Sequence, residues 1–122
     1  MQRFLLGSAA ISGFLAVCLG AFAAHGLKDQ ISVEALVIWQ TGVQYQMYHA
    51  LALLVVGVLY QLQTAKTLKI AGLAFIIGSL LFSGSLYALA LGAPRSLGIV
   101  TPIGGTGFLI GWIALFYYAF RR

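Results

Sequence analysis

Nine charged side chains punctuate the chain, and their placement limits its fold more than any other feature. Arg3, Lys28, Asp29, Glu34, Lys66, Lys69, Arg95, Arg121 and Arg122 leave four charge-free runs, residues 4–27, 35–65, 70–94 and 96–120. A bilayer core about 30 Å thick is crossed by roughly 20 apolar residues in a helix. Each run is long enough, so the sequence predicts an all-α integral membrane protein. The expected fold is an antiparallel four-helix bundle. It forms one transmembrane domain over residues 1–122, with helices at about 4–24, 33–62, 68–91 and 102–120. Composition agrees, with 61% of the 122 residues hydrophobic and 7% charged. A soluble domain has about 45–50% and about 25%. A soluble globular domain, a disordered chain and a disulfide scaffold are excluded, and the single Cys18 admits no intrachain bridge.

The net charge of +5 does not point to nucleic acid, which needs basic residues gathered on one exposed face. Here they stand at helix ends. If the helices alternate across the bilayer, Arg3, Lys66, Lys69, Arg121 and Arg122 share one side. Lys28 and Arg95 share the other, beside Asp29 and Glu34. The excess of basic residues places the first side in the cytoplasm, so both termini are expected inside the plasma membrane. The first run has the outline of a secretory signal peptide, with Arg3 ahead of it and Ala21-Phe22-Ala23 near its end. Its apolar stretch from Phe4 to Ala24 exceeds the roughly 7–15 residues of a signal core, and it is read as a membrane helix.

Small residues suggest where helices approach. Ala9, Gly13, Ala16 and Gly20 share one face of the first helix, and Gly107-x-x-x-Gly111 lies in the fourth. Without a hydrophobic force between helices in lipid, such residues promote association by close backbone contact. Gly26 is expected to terminate the first helix. Ser32 is expected to cap the second, with Glu34 in its first turn. Gly92 and Pro94 mark the end of the third. Thr101-Pro102 reads as the cap and first residue of the fourth, leaving residues 96–100 as an apolar loop.

The second run is unusually polar in its first half, from Trp39 to His49. Trp39 suits the headgroup level. The purely apolar stretch from Ala50 to Leu59 is too short to span alone, so some polar groups must lie at membrane depth. Gly42, Tyr45, Gln46 and His49 share a face by the i, i+3, i+4, i+7 rule. Ser79, Ser83, Ser85 and Tyr87 in the third helix, Thr101 and Thr106 in the fourth and His25 after the first fall in the same outer half. The candidate polar cluster is therefore Tyr45, Gln46, His49, Ser83, Thr106 and His25. A buried imidazole or carboxamide needs partners, and His49 and Gln46 are expected to face these serines or the fourth helix.

The cluster admits two roles. It can be interhelical glue, each hydrogen bond contributing about 0.6–2 kcal/mol. Alternatively it can be a ligand or ion site, since an ionisable residue inside a span is a functional candidate by default. Metal binding is not expected, because His25 and Asp29 supply two ligands where zinc takes three or four. Ser83-Gly84-Ser85 lacks the strand-to-helix setting of a nucleophile elbow, and Gly104-Gly105-Thr106-Gly107 lacks the lysine of a phosphate loop. No enzyme and no cofactor is expected.

Four sequence blocks together resemble a known family. They are Gly20-Ala21-Phe22-Ala23-Ala24-His25-Gly26-Leu27, the run from Trp39 to Ala50, Leu81-Phe82-Ser83-Gly84-Ser85-Leu86-Tyr87, and Ile99-Val100-Thr101-Pro102-Ile103-Gly104-Gly105. The chain is similar to the small bacterial membrane proteins of domain of unknown function family 423, related to the transmembrane protein 256 group. In the first block Ala23 stands where the family often has glycine. The resemblance implies a four-helix protein of the bacterial plasma membrane and brings no activity or site residue with it. The expected function is a non-enzymatic packing or accessory protein. Its partners would be the lipid bilayer and further copies of itself or a larger membrane complex. The alternative is an oligomeric small-solute, ion or lipid binding or transport protein using the polar cluster. A chain of 122 residues can hardly surround a pore, so conduction would require an oligomer.

Overall fold

Hydrogen bonding within a single segment is what lipid demands of a spanning chain, and the computed structural model meets that demand with helices. It describes residues 1–121; Arg122, assigned above to the cytoplasmic side, lies outside the described residues. The helices are α1 (Gln2–Phe22), α2 (Val33–Leu62), α3 (Lys66–Ala90) and α4 (Val100–Phe120). A π-helical turn, Ala23–Leu27, extends α1, and a 3-10 turn, Arg95–Ile99, leads into α4. All four helical segments are long and apolar enough to cross a membrane. The 30 residues of α2 rise about 45 Å at 1.5 Å each, well beyond a hydrocarbon core.

The helix ends show where local signals hold. Ser32 is extended and its Oγ accepts from Ala35 N at 3.1 Å, with Glu34 in the first turn of α2. This satisfies one of the free amides at a helix start. Beyond α3, Gly92 adopts φ +103°, which lets Gly92 N reach Leu89 O and Ala93 N reach Ala88 O. Glycine tolerates this left-handed conformation because it has no Cβ.

Two ends differ from expectation. Gly26 does not stop the first helix, because the π turn carries the chain through it to Leu27. Ala23 and Leu27 are buried there against Trp39 and Ala90, and that burial outweighs the preference of glycine to terminate. Thr101 does not cap α4, which follows directly from the 3-10 turn with Ile99 as its cap. The hydroxyl of Thr101 instead bonds Ser85 Oγ of α3. Residues 96–100 are accordingly helical rather than a loop.

Packing follows chain order: α1 lies on α2, α2 on α3 and α3 on α4, with α1 touching α3 much less. The α3/α4 contact is the closest. A Cβ at Gly104 would collide with the Phe82 backbone, one at Gly111 with the Phe75 ring, and one at Gly107 would come 3.2 Å from Gly78 Cα. On α1, a Cβ at Gly20 would stand 3.3 Å from Val43 Cγ1, and one at Gly13 an ordinary 3.9 Å from Ala50 Cβ. Phe75, Leu5, Leu68 and Val56 fill the interior.

Candidate functional site

Two polar residues of α2, Gln46 and His49, point inward at the middle of its length. Gln46 and His49 are only 7% and 5% exposed. Gln46 Nε2 donates to Ser12 O of α1 at 2.8 Å, and its Oε1 accepts from the Tyr87 hydroxyl of α3 at 2.6 Å. One carboxamide thus ties three helices. Ser83 Oγ donates to Gly42 O at 2.7 Å, adding a second α2/α3 link. Gly42 permits it: a Cβ there would stand 2.8 Å from Tyr87 Cε1. Each of these buried polar side chains has a protein partner in place of water.

His49 uses both ring nitrogens. Nδ1 lies 2.7 Å from Tyr45 O of its own helix, and Nε2 lies 3.1 Å from Trp112 Nε1 of α4. A carbonyl only accepts and an indole only donates. The imidazole proton therefore sits on Nδ1, and Nε2 accepts from the indole. The ring lies flat on Phe108, with centroids 3.5 Å apart and planes within 6°, and Phe75 and Trp112 close it at 5.4 and 5.9 Å. Neutral imidazole satisfies all of these contacts; a second proton would set Nε2–H against the indole N–H.

The structure buries Gln46, His49 and Ser83 together, sets the Tyr45 ring 6.3 Å from that of His49, and leaves Thr106 and His25 outside the hydrogen-bonded centre. Tyr45 is partly exposed, with its ring 4.8 Å from Phe82. Thr106 is exposed and donates to Pro102 O of its own helix at 2.9 Å. His25 is exposed on the π turn. His49 does face helix 4, whereas Gln46 faces Ser12 and Tyr87 rather than the serines of helix 3. Trp39 is turned into the bundle: it is 4% exposed, donates to Leu19 O at 3.0 Å, and packs 4.7 Å from Tyr87. The carbonyl satisfies the indole N–H and two aromatic rings, Phe22 and Tyr87, cover its faces. The partners that sequence reasoning missed are Ser12 O, Phe108 and Trp112; Tyr87 it places in the outer half without a partner. Only the i, i+4 spacing of Ser83 with Tyr87, and of Phe108 with Trp112, hinted at shared faces.

Two clefts flank this centre. One, of about 350 Å³ between α1 and α3, is lined chiefly by Ile11, Leu15, Ile76 and Leu80, with Gln46 and His49 at its base. The other, of about 430 Å³ on the α2/α4 side, is bordered by Tyr45, Phe82, Thr106 and Leu109. Among the described residues no three His, Cys, Asp or Glu side chains are grouped to hold a metal ion. The hydroxyls of Ser83 and Ser85 are engaged with Gly42 O and with Phe82 O and Thr101. The arrangement is suited to holding helices together and to contacting apolar chains.

The family described as "Protein of unknown function (DUF423)" matches residues 19–105. A UPF0382 membrane protein of Haemophilus influenzae is 49% identical over 121 residues, covering 99% of this chain and 97% of the relative. The UPF0382 membrane protein YwdK of Bacillus subtilis is 47% identical over 107 residues, 87% of each chain. The UPF0382 inner membrane protein YgdD of Escherichia coli K12 is 43% identical over 120 residues, covering 98% and 92%. No solved structure gives a significant match.

Proposed function

The chain belongs to the DUF423 family of membrane proteins, and from that premise we propose a non-enzymatic packing or accessory protein of the bacterial plasma membrane. The observation that carries the proposal is the closure of the polar centre upon itself. Gln46 is consumed by Ser12 O and Tyr87, and His49 by Tyr45 O and Trp112. Side chains committed in this way stabilise the bundle and are not poised for transfer chemistry or for hydrated solute. In this reading the helices alternate across the bilayer, antiparallel to their neighbours, with both termini cytoplasmic beside the basic residues. The partners are the bilayer and copies of the chain or a larger membrane complex.

His49→Ala tests the structural role. The expected result is a lower unfolding temperature in detergent, with retained lipids unchanged by native mass spectrometry. A variant that stays equally stable and loses a bound lipid or solute would refute it.

The apolar α1/α3 cleft favours a second function, the seating of a lipid acyl chain. Gly84 borders that cleft and has open space at its Cβ position. Under this second function Gly84→Leu fills the cleft and removes a retained lipid; under the first it changes neither stability nor lipid content.

A further inference from the structure

The outward side of α2 carries polar groups that nothing within the chain satisfies. Gln40, Gln44 and Tyr48 follow one another at i, i+4 and i+8, and all three are exposed. Among the described residues none of them joins a side-chain hydrogen bond, whereas Gln46 and Tyr87 on the inner side bond each other. The same stripe continues as exposed Leu51, Val55 and Val58. Its steps of three and four residues are those of a helix that pairs with another in a left-handed crossing.

Depth makes these groups conspicuous. Gly20 stands against Val43 and Gly57 against Leu6, which sets Gln44 level with about Leu19 and Tyr48 level with about Leu15. Leu15 is near the middle of the charge-free run of α1, and exposed Val17 and Phe22 flank the level of Gln44. On the other side Gly42 stands against Leu86, and α3 remains uncharged for a further turn to its end. Gln44 and Tyr48 therefore face hydrocarbon, where an unmet amide or phenol is strongly unfavourable. Thr106 and Trp112 on the exposed side of α4 do not share this problem. Thr106 bonds its own helix and Trp112 bonds His49.

A carboxamide and a phenol each both donate and accept, so each is complementary to a copy of itself. On a two-fold axis along the membrane normal, every residue of the stripe meets its own counterpart. An unrelated apolar helix would leave these groups unmet. We infer that the Gln40–Gln44–Tyr48 face of α2 is the contact surface of a homodimer, with Gln44 of one protomer bonding Gln44 of the partner subunit. This names the partner within the packing role proposed above, and it rests on that role only for self-association.

Single-cysteine variants on a Cys18→Ala background test the surface in native membranes. Oxidative cross-linking is expected to give a species of twice the chain mass from Gln44→Cys and from Leu51→Cys. None is expected from Ile77→Cys on α3 or Ile113→Cys on α4. In lipid-dilution energy-transfer measurements, Gln44→Leu and Tyr48→Phe should each weaken association about three-fold, and together about ten-fold. Both side chains are exposed, so circular dichroism of the variants should be unchanged. The proposal is overturned if Gln44→Cys gives no dimer, links to a different protein, or cross-links no better than the α3 and α4 positions. It is also overturned if the double variant associates as tightly as the parent. Failure here leaves the His49→Ala result intact, because that variant reads the interior of one chain and these read its outer face.

Discussion

Trp112 donates its indole N–H to Nε2 of His49 at 3.1 Å, joining α4 to the middle of α2 across 63 residues of sequence. The helices that pair most extensively are neighbours in the chain. This bond and the stack of His49 on Phe108 hold α4 to a helix that is not its neighbour. Removing the imidazole takes away both. His49→Ala should cost about 2–4 kcal/mol through lost packing and an orphaned indole donor, read as a lower midpoint in denaturant titration. Trp112→Phe keeps most of the ring area and should cost about 1–3 kcal/mol by leaving Nε2 unpaired in the interior.

Gln46 and Tyr87 should behave as one unit. Gln46→Leu strands the Tyr87 hydroxyl and removes the extra bond to Ser12 O, and Tyr87→Phe strands Oε1 of Gln46. Each should lower stability by about 1–2 kcal/mol, near the upper range for hydrogen bonds within a membrane. The double variant should cost clearly less than the sum. Additive losses in that cycle would show the two side chains to be energetically independent.

Glycine substitutions should divide sharply by position. A Cβ at Gly104 meets the backbone of Phe82, which cannot swing away, whereas one at Gly84 meets open space. Gly104→Ala should separate α3 from α4 and cost about 3 kcal/mol or more, at the severe end for overpacking. Gly84→Ala should leave thermal stability within about 0.5 kcal/mol. Thermal unfolding of the two variants side by side checks the contrast.

Orientation is checked by cysteine accessibility on the Cys18→Ala background. Gln30→Cys, in the connector between α1 and α2, should react with an impermeant maleimide added to intact cells. Thr64→Cys, between α2 and α3, should react only after permeabilisation. The reverse pattern would invert the topology, and with it the cytoplasmic placement of Arg3, Lys66, Lys69 and Arg121.

The inward face of α2 was readable in advance. Of the face predicted by the helical repeat, Gly42, Gln46 and His49 are buried, whereas Tyr45 is exposed. What they touch was not readable, because Trp112 and Tyr87 lie on other helices and no local pattern fixes the rotation between helices. Trp39 illustrates the limit. Its position near the start of α2 suggested a depth but not a partner, and the carbonyl of Leu19 and the ring of Tyr87 turn it into the bundle. Thr101 does the same for capping, since its hydroxyl found Ser85 across the α3/α4 contact instead of an amide of its own helix.

The sequence alone determined that this chain forms four membrane-length helices. The reason is local: in hydrocarbon each segment must satisfy its own backbone, and about twenty residues without a charge suffice to require it. Family membership was legible too, in blocks that span nearly the whole chain. Only the tertiary structure decided which polar groups meet and which remain unmet. Those outcomes depend on helix rotation and register, set by contacts between distant residues such as Gly104 with Phe82 and Gly20 with Val43. The same register that closes Gln46 and His49 inside turns Gln44 and Tyr48 outward, and so leaves a surface for a second copy to cover.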